Sequence, residues 1–303
     1  MRAHRVLAAL AILAICGAAS GRTLTVCPAE SRQQDCEFRG DRAIQAAVDA
    51  AANGDEIRIR AGRYAPEAHR DVRFEEITVR AYVLVDGKDL AIVGEPGAVL
   101  DGTTKLPTTA IAVHRANVRI ADLEITGFRY AVQEDDTYEG HGIFVIDGTA
   151  RIDGVTIRKF QKMGLTGRGR SLIDASRLQI LDGHVGIWLR ESSYLRLRDS
   201  TIRGNDSSAI AAYVNAAAHL FDCVIEGNLD DGLYTDHQAT MYVTGSRILR
   251  NKPIGLNAVG QSRIRVEHSA LRENAQDTGS KDGGRVLIGP GVERAAGAPA
   301  RTE

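Results

Sequence analysis

Neither sign of charge dominates this chain: 38 lysines and arginines stand against 39 aspartates and glutamates, a formal net charge of -1 over 303 residues. That balance argues against a dedicated nucleic-acid binder or a membrane-surface protein, which would be expected to carry a basic excess. Long apolar runs are just as scarce. The single one, Val6 to Cys16, is too short to cross ~30 Å of hydrocarbon, so no membrane span is expected. Arg2 and Arg5 precede it and small residues follow, the pattern of a secretory signal peptide over residues 1–21 that is cut between about Ala19 and Arg22. The compartment implied is extracellular or periplasmic.

Cysteine is also sparse. Cys16 leaves with the signal, and Cys27 and Cys36 lie close together in a segment exposed to an oxidising compartment, so a disulfide between them is expected. Cys223 then stays single and reads as a small buried hydrophobe. Aromatic residues make up only 5% of the chain, with one tryptophan, so wherever they gather is informative.

What the chain does have is a repeat. Ile125, Ile157, Ile180, Ile202, Ile225, Ile248 and Leu271 end seven similar segments at spacings of 32, 23, 22, 23, 23 and 23. Five residues before them stand Ile120, Ile152, Ala175, Leu197, Leu220, Val243 and Val266, all apolar. A further apolar position, usually behind a glycine, follows at Ile143, Leu165, Ile187, Ile210, Leu233 and Leu256. A 23-residue unit with short alternating runs reads as strands. No unit buries its own apolar face alone, but stacking units about 4.8 Å apart pairs each strand with its equivalents above and below. The fold class is therefore all-β, a right-handed parallel β-helix over residues 22–275. Asn205, Asn228, Asn251 and Asn274 recur just past each mark, as an internal amide ladder or as ordinary turn residues.

The ends fit a solenoid. Residues 41–53 place Ile44, Ala47, Val48 and Ala51 on one helical face, and Asn53-Gly54 stops the helix, which is assigned as the N-terminal cap. Residues 56–60 alternate as a first strand. Past about Asn274 the pattern fades, and residues 276–303 are expected to be a mostly disordered tail, with a last strand at Val286 to Ile288 left open. The opening AIQAAVDAAANGDEIRIRAGRY and the later DLAIVGEPGAVLDG resemble the pectin-lyase-like right-handed β-helix superfamily. The resemblance covers residues 41–275 and implies the fold; its members include lyases, hydrolases, esterases, epimerases, tailspikes and proteins without known activity.

Strand alternation then predicts an outward face. One residue past the inward mark stand Phe144, Thr166, Trp188, Ala211, Tyr234 and Asn257; three past it, Ile146, Arg168, Arg190, Tyr213, Asp236 and Val259. Five past it come Gly148, Arg170, Ser192, Asn215, Gln238 and Gln261, expected on the same flat surface. Aromatic rings for sugar faces and arginine forks for carboxylates suit an acidic polysaccharide or cell-surface glycan; exposed strands stiffened by residues of high sheet propensity are the plain alternative. The substrate-binding set expected is Arg168, Trp188, Tyr213, Asn215 and Asn257. The catalytic set is Tyr234, Asp236, His237 and Arg190, with His237 turned inward or into the turn. The chemistry they suit is proton abstraction beside a uronate carboxylate, as in a lyase or C5-epimerase. A non-catalytic glycan-binding or structural β-helix, and a glycoside hydrolase, are the other readings. A monomer is expected.

Residues 133–142 form an insert beside this face, carrying Glu134, Asp135, Asp136, Glu139 and His141; a calcium site and a solvated acidic loop are both open. Three short segments resemble parts of known families. Gly140-His141-Gly142 is similar to a polygalacturonase segment but precedes the other candidates, which rules out that assignment. Tyr234-Thr235-Asp236-His237 is similar to a segment of alginate C5-epimerases, without its proline. Asp230-Asp231-Gly232-Leu233 is similar to the calcium-ligand segment of pectate lyases, with a different spacing to the next carboxylate.

Overall fold

A computed structural model describes residues 21–131 and 137–294. The chain winds into three parallel sheets of 12, 10 and 11 strands, and from Thr149 onward each turn of the coil contributes one strand to each sheet in order. Register is kept rung after rung. In the first sheet Ile120, Ile152, Ala175, Leu197, Leu220, Val243 and Val266 align, in the second Ile125 to Leu271, and in the third Ile143 to Leu256. These marks form one continuous buried core. Burying each leucine or isoleucine contributes about 1.5–3 kcal/mol, which no single rung could gain alone.

Each corner needs one residue in left-handed backbone. At the corner that follows the third sheet these are Asp147, Gly169, Glu191, Val214, His237 and Gly260, with φ from 48° to 66°. Only glycine, asparagine or aspartate adopts this region readily, and the stacked backbone bonds hold the others there. The turn residue is thus set by its place in the stack.

The asparagine column is an amide ladder. Nδ2 of Asn205 donates to Oδ1 of Asn228 at 2.9 Å, Asn228 to Asn251 at 2.9 Å and Asn251 to Asn274 at 3.2 Å, and each acceptor oxygen also takes the backbone N–H of the preceding asparagine. Asn205, Asn228 and Asn251 are fully buried.

At the N-terminal end a helix, Ala43–Ala50, buries Ala43, Ile44, Ala47 and Val48 against the first coil. It is shorter than the expected 41–53, because Ala51 already has extended backbone. The first strand is Thr23–Cys27, ahead of the helix, and it pairs with Glu56–Ile59. Its Cys27 forms a disulfide with Cys36. Cys223 is free and buried, and burial pushes its thiol up to about 11. The segment 1–20, with the signal sequence, lies outside the described residues. No helix among the described residues is long and apolar enough to cross a membrane.

Two features depart from expectation. The tail is not structureless from residue 276: Gln276–Lys281, Arg285–Ile288 and Glu293–Arg294 extend the three sheets. Polar Thr278 pairs with Leu256, so hydrophobic periodicity vanishes while the backbone ladder continues. A second departure is an antiparallel hairpin, Arg70–Phe74 with Ile77–Asp86. Ile77–Asp86 is a strand of the third sheet, paired in parallel with Thr109–His114, and Arg70–Phe74 folds back beside it, so that Val72, Phe74, Ile77 and Val79 pack with Phe144 and Ile146 in a small core apart from the main one.

The ladder makes a graded prediction. Asn228→Ala strands the buried N–H groups of Asn205 and is expected to lower unfolding stability by about 1–3 kcal/mol. Asn274→Ala, at the half-buried end of the column, should cost clearly less. Urea unfolding of both variants measures the difference, and equal losses would mean the ladder is not the stabilising unit.

Candidate functional site

The third sheet carries the residues of interest because alternation sends Thr166, Trp188, Ala211, Tyr234 and Asn257 outward in consecutive rungs. Arg190, Tyr213 and Asp236 follow two residues later, each bonded through its backbone N–H to the rung before: Arg190 to Gly167, Tyr213 to Leu189 and Asp236 to Ala212. The next residue in each rung is the left-handed corner. Asn215 and Gln238 therefore lie around that corner and not on one flat face, which corrects the expectation of three coplanar columns.

The rings form a strip along the helix axis. Tyr138, Trp188, Tyr213 and Tyr234 follow one another with centroid separations of 6.4, 6.4 and 5.5 Å. Guanidinium carbons of Arg168 and Arg190 lie 5.5 and 5.4 Å from the Trp188 ring. The two arginines differ in what they offer. Arg168 is 5% exposed, donates to Glu191 at 2.7 Å, lies 3.6 Å from Glu75 at the hairpin tip and packs on Phe74. Its charge is taken up inside the protein, so the expectation that it meets a ligand gives way to a positioning role for Trp188 and the hairpin. Arg190 has only a 3.6 Å approach to Glu191, and its side chain is 41% exposed. It is the arginine free to hold an incoming anion.

Acids and phenols gather at the other end of the strip. The Tyr234 hydroxyl lies 3.4 Å from Asp236 Oδ2, and burial with the Asp236 charge pushes the phenol up to about 12. Burial likewise raises Tyr213, and Asp236 and Asp230 add to it. His237 occupies the corner at φ 58°, with Nδ1 3.5 Å from Asp236 Oδ2 and its ring largely exposed. It has turned into the turn and away from the strip. Asn215 and His237 line a hollow of about 510 Å³ together with Asp236, Gln238 and Gln261.

Asp231 stands in the segment similar to the calcium-ligand segment of pectate lyases but is not in the catalytic or binding set expected from sequence. It is 4% exposed, its Oδ2 accepts from Asn257 Nδ2 at 2.6 Å, and its Oδ1 has no hydrogen-bond partner. Burial, reinforced by the Asp230 charge, pushes its pKa up to about 6. The neighbouring Asp230 instead accepts from Ser208 at 3.0 Å. The available signal was the outward step before Gly232: Asp231 stands three residues ahead of Tyr234, across the glycine where the strand bends. Asn257 thus holds a carboxyl group, in addition to any contact with a ligand.

The described ends of the insert fold over the first rungs of the face. Tyr138 stacks on His141 and meets Phe144 edge-on. Glu139 is buried, paired with Arg80 at 2.7 Å and with the Ala131 amide. His141 is fully buried, shares a 2.8 Å hydrogen bond with Thr166, and is held neutral because burial lowers its pKa to about 3. Glu134, Asp135 and Asp136 lie outside the described residues. Among the described residues no three histidine, cysteine, aspartate or glutamate side chains converge on a metal site, and Glu139 and His141 are each engaged elsewhere.

Comparison with known proteins bears on the fold. The structure matches that of pectate lyase Pel9A at a TM-score of 0.61 and 13% identity, covering 93% of this chain and 79% of that one. It matches an alginate lyase from Paenibacillus sp. str. FPU-7 at 0.64 and 13% identity, covering 91% and 96%. Among curated proteins none matches by sequence. A family model described as a right-handed beta helix region matches residues 109–271, within the longer span over which the three sheets keep their register. Because this match covers more than half of the chain, the protein belongs to the right-handed beta helix family.

Proposed function

We propose that this protein acts on an acidic polysaccharide in an extracellular or periplasmic compartment, by abstracting the proton beside a uronate carboxylate as a lyase or C5-epimerase does. The observation that supports this reading is the aromatic strip of the third sheet, which has a half-exposed arginine, Arg190, beside Trp188 and whose outward residue Asn257 holds the buried carboxyl group of Asp231. The Cys27–Cys36 disulfide suits that compartment. Two β-helices of similar fold bear the names pectate lyase and alginate lyase, which agrees with an acidic substrate.

The roles follow from charge. A proton next to a carboxylate is weakly acidic, and Arg190 neutralises that carboxylate so that the developing negative charge is stabilised. Trp188 and Tyr213 take the sugar faces. Asp231 is ionised above pH about 6 and is poised near neutrality as the base. Tyr234, raised to about 12, is protonated at every physiological pH and serves as the acid. In elimination Asp231 takes the C5 proton, the C5–H electrons form the C4–C5 double bond, and the C4–O bond breaks as its oxygen takes the Tyr234 proton. Water then returns the phenolate and the carboxyl to their starting states. In epimerisation the C4–O bond stays intact and Tyr234 delivers its proton to C5 from the opposite face. Asp236 tunes Tyr234 by its charge.

A non-catalytic glycan-binding protein is the second reading. It is favoured by the openness of the strip toward its C-terminal end, where Asn257, Val259 and Lys281 border a hollow of about 570 Å³.

Incubation with a panel of acidic and neutral polysaccharides, followed by ultraviolet absorbance of unsaturated uronates and NMR of epimerised residues, separates the readings. Turnover is expected to fall by about 10²–10³ in Arg190→Ala and by about 10²–10⁴ in Tyr234→Phe and Asp231→Asn. Retention of glycan without turnover of any substrate assigns the protein to the binding class.

The raised pKa of Asp231 also sets two pH dependences. As a base it must be ionised, so kcat/KM should climb through pH about 6 to a plateau, and a flat profile across that range excludes it. For stability the sign is opposite. A carboxyl whose folded pKa exceeds its unfolded value of about 3.9 stabilises the fold when protonated, below pH about 4, and that contribution is lost as pH rises through 6. Asp231→Asn should therefore unfold at a higher temperature than the parent at pH 7 and at nearly the same temperature at pH 4. A thermal midpoint at pH 7 that is lower in the variant would mean the charge is not a burden to the fold.

A further inference from the structure

A second aromatic and basic surface lies on the first sheet, away from the strip just described. Its outward column aligns Arg119, Arg151, Asp174, Arg196, His219 and Tyr242 in successive rungs. His219 is the centre of a ring cluster with Tyr194 at 5.4 Å, Tyr242 at 5.9 Å and Phe221 at 6.3 Å, and the Tyr194 hydroxyl lies 3.2 Å from its Nδ1. Arg196 rests over Phe221 at 5.7 Å, and Leu172, in register with Tyr194, is 51% exposed. These rings and this leucine point out of the coil although its interior accepts large apolar side chains.

Charge decides what the surface suits. Asp174 is engaged by Arg198 at 2.9 Å, Asp153 by Arg177, and Glu267 by Arg265. Arg119, Arg151 and Arg196 are exposed and make no ion pair among the described residues. A positive patch therefore lies on a protein whose net charge is -1. Beside Arg119 and Arg151 the surface dips into a hollow of about 410 Å³ bordered by Asn117 and Thr149. A guanidinium presents a planar fork to a carboxylate, and rings beside it offer faces to sugar C–H groups. Rungs about 4.8 Å apart repeat these offers along a line.

We propose that the first sheet is a second, non-catalytic binding surface for a carboxylated glycan chain, held by Arg119, Arg151 and Arg196 and stacked on the Tyr194–His219–Phe221–Tyr242 cluster. The occupant belongs to the class proposed for the third sheet, but it is argued from different residues on a different face. It would tether polymer to the enzyme without taking part in the reaction.

Affinity electrophoresis of the full chain through gels containing polygalacturonate, alginate, dextran sulfate or neutral dextran tests it. The exposed triple variant Arg119→Ala/Arg151→Ala/Arg196→Ala, with its melting curve as a folding control, should lose retention on polyuronate about ten-fold or more while keeping any turnover of short oligosaccharides. Tyr194→Ala/Phe221→Ala should also weaken retention on polyuronate, and Arg190→Ala should leave a salt-sensitive retention in place. Unchanged retention in the triple variant overturns the proposal. So does unchanged retention in the ring variant together with equal binding of dextran sulfate, since that describes a generic anion exchanger. The readout needs no turnover, so failure of the catalytic reading leaves this test intact.

Discussion

The structure depends on one constraint: every rung must place its backbone N–H and C=O groups opposite those of its neighbours, in parallel register. Once that ladder is set, a residue has no private environment. It belongs to a column, and the column fixes whether it faces the core, the solvent or a corner. Leu233 is buried because Ile210 and Leu256 are, and Tyr234 is outward for the same reason. Even backbone strain is shared, since Val214, a β-branched residue at φ 65°, is held between Glu191 and His237 in the same left-handed column.

This explains what could be read in advance. The repeat determines columns, so the inward marks, the recurrence of the asparagines and the outward order from Thr166 to Asn257 are legible from spacing, while spacing leaves open whether the asparagines bond to one another or only make turns. Contacts between columns are not legible that way. Whether Arg168 or Arg190 carries the free charge depends on Glu191 and on Glu75, and Glu75 reaches the site through a hairpin that no periodicity announces. Asp231 falls outside the expected catalytic set for a related reason. The repeat gives no hint that Asn257, in the next rung, clamps one oxygen and leaves the other without a partner. The corner residue was the third gap: alternation was carried one step too far, and it placed Asn215 on a face that ends before it.

The same geometry separates two carboxylates five positions apart. Asp236 sits at the edge of the strand, where its carboxylate accepts the His237 backbone N–H and lies 3.4 Å from the Tyr234 hydroxyl. Asp231 is buried beside Asn257, where desolvation works against ionisation and the nearby Asp230 adds repulsion. Burial dominates there because a charge in a poorly solvated site loses more than one hydrogen bond from Asn257 returns. A fold with one repeated backbone thus gives two carboxyl groups of one rung different surroundings, one buried and clamped by Asn257 and the other at the corner beside His237.

Parallel stacking also bears on how a polymer is met. An enzyme with a globular cleft engages one stretch of its substrate, whereas a β-helix offers linear arrays whose pitch is the strand spacing. The first and third sheets share their rungs, so Trp188 and Tyr213 on one face and Arg196 and His219 on another follow the same pitch. A mutation that shifts register in one sheet must shift the others, because each coil passes through all three. Substitutions confined to outward positions escape this coupling. It follows that binding and chemistry on this scaffold can diversify by surface columns while the core and the asparagine ladder hold the coils in place.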